Sequence, residues 1–209
     1  MVEKFGRDYY YGRKKSNYSN YETIDFPRQF KAILEFMRKT GAKRFLDVGC
    51  AFGYLVNLAL PYVKEAHGCD ASHFAVKKAK SMFPRGKFKV SNLEKDLSYP
   101  NEYFDVITAL DILEHTKSIK ESMKNIIKKL RPGGYLIISL PFNGKLRLIM
   151  KHIDKDVTHI SVIPEKELLE IISSCGLDVV KKLYFLPVPY FTKIYGIPAE
   201  IELYLRKPY

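Results

Sequence analysis

The chain has 209 residues, 46% apolar, 28% charged and 13% aromatic; this length allows one domain with a real core, and the composition excludes a disordered or collagen-like chain. A formal charge of +12 raises nucleic acid as a partner, yet the lysines are spread over segments such as "AVKKAKSMF" and "SIKESMKNIIKKL", where they alternate with apolar positions and read as solvated faces. The three cysteines, Cys50, Cys69 and Cys175, have neither the paired spacing of zinc sites nor the density of a disulfide scaffold; no apolar run suggests a signal peptide or a bilayer span, so a cytoplasmic chain is expected.

Residues 1–25 are tyrosine-rich, polar and aperiodic, and read as an arm or lid. From Phe26 to Lys39, Phe30, Ile33, Leu34, Phe36 and Met37 fall at helical spacing, and Gly41 makes a suitable stop. "KRFLDVG" predicts a short buried strand, the apolar run after Gly53 a helix that Pro61 ends, and "EAHGCDAS" a second strand finishing on an acid. Ser72 is placed to cap the next helix, and "KFKVSN" and "YFDVITALDI" read as further strands. "SIKESMKNIIKKL" is an amphipathic helix that "RPGG" breaks before the strand "YLIISLPF". Residues 143–163 are irregular, Pro164 starts another helix, and "DVVKKLYFL" and "EIELYLRK" read as strands around a loop at 187–199.

Continuous apolar strands separated by helices argue a parallel sheet covered on both faces. The expectation is a single α/β domain over 1–209, doubly wound and Rossmann-like, with a seven-stranded, mostly parallel sheet. The arm at 1–25 and the irregular segments 143–163 and 187–199 would shape a substrate pocket.

Ligands of such sheets bind beyond the carboxyl ends of the strands, where strand order reverses, and the turn "LDVGCAFG" sits at that place. Gly49 and Gly53 permit close approach of a ligand to backbone. The turn lacks G-K-[ST], and Ala51 and Leu55 stand where G-x-G-x-x-G needs glycines, so a phosphate guest is disfavoured. Asp47 at its entrance favours a cation instead. Asp70 ends the second strand 23 positions later, where a carboxylate can accept both ribose hydroxyls. A nucleoside with a cationic tail fits, and S-adenosylmethionine is such a molecule. The competing reading makes both acids helix N-caps.

From Arg44 to about Phe142 these residues resemble the class I S-adenosylmethionine-dependent methyltransferases, especially the small-molecule, ubiquinone-biosynthesis-like branch. The likeness rests on "LDVGCAFG", "CDAS", "VSNLEKDLSYPNEYFDVI", "ALDILEH" and "KKLRPGGYLIISLP" in this order. It implies Gly49, Cys50, Ala51 and Gly53 along the methionine portion, Asp47 at its amino end, and Asp70 with Ala71 at the ribose. It also implies Asn92 and Leu93 at the adenine and Leu110 and Asp111 on the methyl side. Ala51 departs from the usual glycine, and Asn92 from the usual aspartate.

Methyl transfer to a hydroxyl would use a base near neutral pH, and His115 and His159 are the candidates, each weighed against a loop-ordering role. His152, Asp154, Asp156 and His159 match no metal signature, so no metal is expected. Tyr18 and Tyr21 would close as a lid. The expected acceptor is small and aromatic or apolar. The alternatives are an RNA methyltransferase with the same cofactor site, and a catalytically silent interaction subunit.

Overall fold

The computed structural model describes residues 5–13, 16–18, 20–143, 156–188 and 192–209. His152 and Asp154, with parts of the expected acceptor segments 143–163 and 187–199, lie outside the described residues.

The arm opens with a single helical turn, α1 (Arg7–Tyr10). The expected helix over 26–39 is two helices, α2 (Phe26–Gln29) and α3 (Lys31–Thr40), divided at Phe30. Asp25 accepts from the Arg28 amide at the start of α2, and Gly41 ends α3 at φ 63°, a left-handed turn that glycine adopts without strain. Then β1 (Arg44–Val48), α4 (Tyr54–Ala59), β2 (Glu65–Asp70) and α5 (His73–Met82) alternate. Ser72 caps α5 as expected, its hydroxyl accepting from the Ala75 amide at 3.1 Å. There follow β3 (Lys87–Val90), β4 (Phe104–Leu110), α6 (Ile119–Ile127), β5 (Leu130–Pro141), α7 (Glu165–Ser174), β6 (Asp178–Val188), β7 (Thr192–Tyr195) and β8 (Glu200–Arg206).

Among the described residues the sheet has eight strands, not the expected seven, in the order β3-β2-β1-β4-β5-β8-β6-β7. The extra strand is β7: part of the stretch read as a loop folds back on β6 as an antiparallel hairpin, Phe185 opposite Tyr195. Pro187, Pro189 and Pro198 make this stretch look strandless in sequence, but β7 contains none of them, and Pro187 lies in β6 past its last pairing with β8, where a ladder donor is not needed on that side. A second difference concerns "RPGG": Leu130 already pairs with Phe104, and the register shifts before Val106 meets Tyr135, so the four residues form an irregular entry to β5.

Strands β3, β2, β1, β4 and β5 are mutually parallel, and β8 lies antiparallel between β5 and β6. Alternate side chains of the central strands feed two cores, one on each face. Leu136, Ile138 and Leu140 of β5 join Ile119, Met123 and Ile126 of α6 and Leu168 of α7, while Ile137 joins Ile33, Met37, Leu55 and Val76 from α3, α4 and α5. Helices cover both faces, which is why these strands read as unbroken apolar runs; each fully buried Leu or Ile contributes about 1.5–3 kcal/mol. Because β1 is flanked by β2 and β4, strand order reverses at the end of β1, where the glycine turn lies.

Candidate functional site

The turn after β1 is shaped by backbone. Gly49 has φ 79°, and a Cβ there would stand 3.0 Å from the Ile112 side chain; Gly53 has φ 84°, and its Cβ would stand 2.6 Å from the Phe88 ring. Ala51, at φ 45°, is held in the left-handed region that alanine adopts only at a cost. What holds it is Asp70: one carboxylate oxygen accepts the Ala51 amide at 2.9 Å and the other the Ser72 amide at 2.8 Å. Asp70 therefore ties the glycine turn to the turn after β2. Asp47 accepts from the Thr108 hydroxyl of β4 at 2.7 Å. Neither acid caps a helix, which removes the competing reading of the pair.

Burial pushes the Asp47 carboxyl up to about 7, opposed by the Thr108 hydroxyl and reinforced by the Asp70 charge. Burial also pushes the Cys50 thiol well up, with the Asp70 and Asp47 charges adding to it, so Cys50 is inert as a nucleophile.

One pocket gathers Asp47, Gly49, Cys50, Ala51, Asp70, Ala71, Leu110, Asp111 and His115 with Tyr18 and Tyr21 of the arm. Gly53 stands behind it at the start of α4. Asn92 and Leu93 do not line it: the Asn92 side-chain oxygen accepts the Glu94 amide at 2.9 Å, and Leu93 is buried in the core. Asp111 has φ 51° and accepts the Ser139 hydroxyl at 2.8 Å.

The arm reaches further into the pocket than the sequence suggests. Tyr9 and Tyr10 line it too, and Tyr10 packs on Phe52 of the glycine turn with ring centres 4.7 Å apart. Tyr18 and Tyr21 meet edge to face at 4.9 Å, and Tyr21 also meets Phe52. Lys78 of α5 bonds Glu22 and Tyr11 and so clasps the arm. With these rings in place the cavity is about 100 Å³, below the ~300–1,000 Å³ of small-molecule pockets, so entry of a nucleoside requires the arm to shift.

At the opposite end, residues 113–115 make a short turn after β4. The His115 Nδ1 lies 3.1 Å from the Thr158 carbonyl and 2.8 Å from the Thr158 hydroxyl, and that hydroxyl donates to Asp156. Asp156 also accepts from Tyr9 at 2.8 Å. His159 sits beside His115, ring centres 4.9 Å apart, with Nε2 3.9 Å from a Glu114 carboxylate oxygen. His115 thus both lines the pocket and orders the loop. His159 joins it without lining the pocket itself. Burial drives the Glu114 carboxyl well above its ordinary range, and the charges of Asp111, Glu200 and Asp156 add to this.

Glu114, Tyr9 and Tyr10 escaped the sequence reading, and Asp156 entered it only within the set that matches no metal signature. A glutamate between two apolar residues and a histidine in "ILEH" is the signal that could have marked Glu114.

Residues 21–182 match the model of a family described as a methyltransferase domain. A probable S-adenosylmethionine-dependent methyltransferase of Mycolicibacterium smegmatis is 25% identical over 158 residues, 76% of this chain and 61% of that protein. The mitochondrial ubiquinone biosynthesis O-methyltransferase of Schizosaccharomyces pombe is 28% identical over 102 residues, 46% of this chain and 37% of that protein. A highly reducing polyketide synthase of Alternaria alternata is 28% identical over 130 residues, 57% of this chain and 5% of that protein. The matches therefore span less than two thirds of these relatives' lengths. Among solved structures, an S-adenosylmethionine-dependent methyltransferase of Clostridium acetobutylicum superposes with a TM-score of 0.71 at 14% identity, covering 89% of this chain and 93% of that one. The YcgJ protein of Bacillus subtilis gives 0.69 at 18%, covering 86% and 99%. These two likenesses are of fold.

Proposed function

Since the chain belongs to the methyltransferase domain family, with the class I fold, we propose that it transfers a methyl group from S-adenosylmethionine to an oxygen, nitrogen or carbon of a small aromatic or apolar acceptor. The observation that carries the reading is the pair of buried carboxylates, Asp47 and Asp70, on a pocket whose described lining contains neither lysine nor arginine. Such a wall disfavours phosphate and suits an unphosphorylated nucleoside with a cationic tail.

Bound S-adenosylmethionine supplies an electrophilic methyl group on a sulfonium, so the protein need only hold donor and acceptor in line. Asp70, fixed by two amides, would accept the ribose hydroxyls beside Ala71. Asp47 would take the amino end, and Gly49, Cys50 and Ala51 would follow the methionine chain, with Gly53 keeping α4 close behind. Leu110 and Asp111 would border the methyl side, and Asn92 and Leu93 would meet the adenine beyond the present lining. Tyr18 and Tyr21, with Tyr10, would exclude water as the arm closes. The ring-rich lining, with Phe5, Phe26 and Phe30, favours a flat, apolar acceptor. His115 and His159 are the imidazoles able to take up an acceptor proton.

Calorimetric titration with S-adenosylmethionine tests the reading. The parent should bind, and Asp70→Ala should lose about two orders of magnitude in affinity, since removing the carboxylate strands two buried amides as well as the ribose hydroxyls. No binding by the parent overturns the reading, and unchanged affinity in the variant overturns the ribose assignment. Labelled-methyl transfer into a fractionated extract should mark the small-molecule pool, whereas label in RNA would favour the alternative that the +12 charge raises.

A further inference from the structure

The N-terminal arm covers the two carboxylates of the pocket. Tyr10 and Tyr21 line it beside Asp47 and Asp70, and both rest on Phe52 of the glycine turn, with ring centres 4.7 and 5.1 Å away. Phe52 and Ala51 are buried beneath them. Burial lifts both hydroxyls well above their ordinary range; the Asp70 charge adds to this at Tyr10, and Tyr18, Asp47 and Asp70 add to it at Tyr21. The two rings therefore stand over the carboxylates that a cationic nucleoside would meet.

Each of these rings is one peptide away from a second contact, made outside the pocket. Tyr11 follows Tyr10 and Glu22 follows Tyr21, and the two meet on Lys78 of α5. The Lys78 ammonium donates to the Glu22 carboxylate and to the Tyr11 hydroxyl, which itself donates to Glu22. Lys78 also stands over the Tyr11 and Phe52 rings, 5.0 and 4.6 Å from their centres. Neither Tyr11, Glu22 nor Lys78 lines the pocket.

The space left beneath the rings is about 100 Å³, whereas a nucleoside carrying an amino-acid tail needs a pocket of ~300 Å³ or more. A guest of that size cannot share the pocket with the rings where they now stand. Residues 21–23 form a short turn held by Asn20, whose side chain accepts the Glu22 amide at 3.1 Å, so the Tyr21 ring and the Glu22 carboxylate move as one piece. Lifting Tyr10 and Tyr21 off Phe52 draws Tyr11 and Glu22 with them. The clasp on Lys78 and an occupied pocket thus exclude each other.

We propose that the arm is an autoinhibitory strap: clasped on Lys78 through Glu22 and Tyr11, it occupies the donor site, and release of that clasp admits the ligand. Apparent affinity is then reduced by the fraction of chains whose clasp is open. Once the guest is in place the arm recloses further out, where Glu22 no longer reaches Lys78. The rate of ligand entry therefore depends on Lys78, while the rate of escape does not. That the guest is S-adenosylmethionine rests on the methyl-transfer reading; the clasp itself does not.

The test compares the full chain with Lys78→Met and Glu22→Gln, each shown to be folded by thermal melt. The chain has 15 tyrosines and no tryptophan, so tyrosine emission in a stopped-flow mixer reports ligand entry. Lys78→Met should raise the S-adenosylmethionine association rate about fivefold and Glu22→Gln about two- to threefold, the size expected of a part-exposed ion pair with a ring contact. Dissociation should stay within about twofold, so affinity tightens by nearly the gain in association. The double variant should exceed Lys78→Met by less than about twofold, since both changes remove one clasp. Unchanged association in the folded variants overturns the inference. So do equal rises in association and dissociation, which mark a lid that re-forms over the ligand. Without any ligand, hydrogen exchange at the Tyr11 and Thr23 amides, bonded to the Arg7 and Asn20 carbonyls, should be at least about threefold faster in Lys78→Met. That exchange decides the strap even if no chain binds S-adenosylmethionine, an outcome that sinks the methyl-transfer reading; binding with unchanged exchange and association sinks only the strap.

Discussion

The rim built on Asp47, the glycine turn and Asp70 lies within 24 consecutive residues, whereas the rim facing it joins Tyr9 to Asp156 across 147 positions. The first is fixed mainly by backbone: positive φ angles, two amides on one carboxylate, and glycines that leave room. The second is fixed by side chains: edge-to-face rings, a Tyr–Asp hydrogen bond, and a His–Thr–Asp chain. A backbone-built rim tolerates change only at positions that keep its dihedrals. A rim built from side chains can be rewritten residue by residue. On the methyl-transfer proposal, the first rim would hold the cofactor and the second the acceptor.

Four substitutions would break or sharpen that contrast. Gly53→Ala should do the most damage, since a Cβ at φ 84° adds left-handed strain and meets the Phe88 ring at 2.6 Å. A loss of about 3 kcal/mol is expected, read as a fall in melting temperature of roughly 6–12 °C. Tyr9→Phe should cost about 1 kcal/mol by removing one hydrogen bond to Asp156, which keeps those from the Thr158 amide and hydroxyl, yet leave S-adenosylmethionine affinity within a few-fold. If affinity falls as far as stability, the two rims are not separable.

Asp47 gives the pH dependence. Its carboxyl is raised to about 7 in the folded chain, so it is neutral below that pH. Between its ordinary value and about 7 the folded state holds the extra proton, so this group's contribution to stability falls as pH rises through that window and is level above it. A cationic amino group of the ligand favours the charged form, so affinity should fall by up to about tenfold per pH unit below 7, with proton release seen as buffer-dependent heat. Asp47→Asn should flatten both effects, and a flat profile in the parent would remove Asp47 from the amino end. Ala51→Gly should have the smallest effect: relief of the φ 45° strain is partly offset by glycine's greater freedom when unfolded, leaving about 0.5–1 kcal/mol of stabilisation by thermal melt.

The first rim was legible because its chemistry is contiguous: the apolar strand, the small-residue turn and the acid at the next strand end each leave a local mark. The cap at Ser72 and the stop at Gly41 were visible for the same reason. The break at Phe30 was not, because apolar residues continue at helical spacing through it and only the geometry of packing divides α2 from α3. Strand β7 was hidden because it is four residues long and flanked in sequence by prolines at 187, 189 and 198. Glu114 was quoted within its motif but could not be singled out, since no spacing rule says that its carboxylate is enclosed while its carbonyl anchors a segment 46 positions away. Tyr9 and Tyr10 looked like any other members of a tyrosine-rich arm until Asp156 and Phe52 were beside them.

The place of β8 in the sheet bears on the order in which the chain can assemble. It lies between β5 and β6, bonded along most of its length to both, although it is the last strand in sequence. During synthesis, β1 to β5 can pair and set the turn around Asp70 while β6 and β7 exist only as an undocked hairpin with an unsatisfied edge. A ribosome still holding residues 200–206 holds the seam of the sheet, so docking of the hairpin waits on those last residues to emerge.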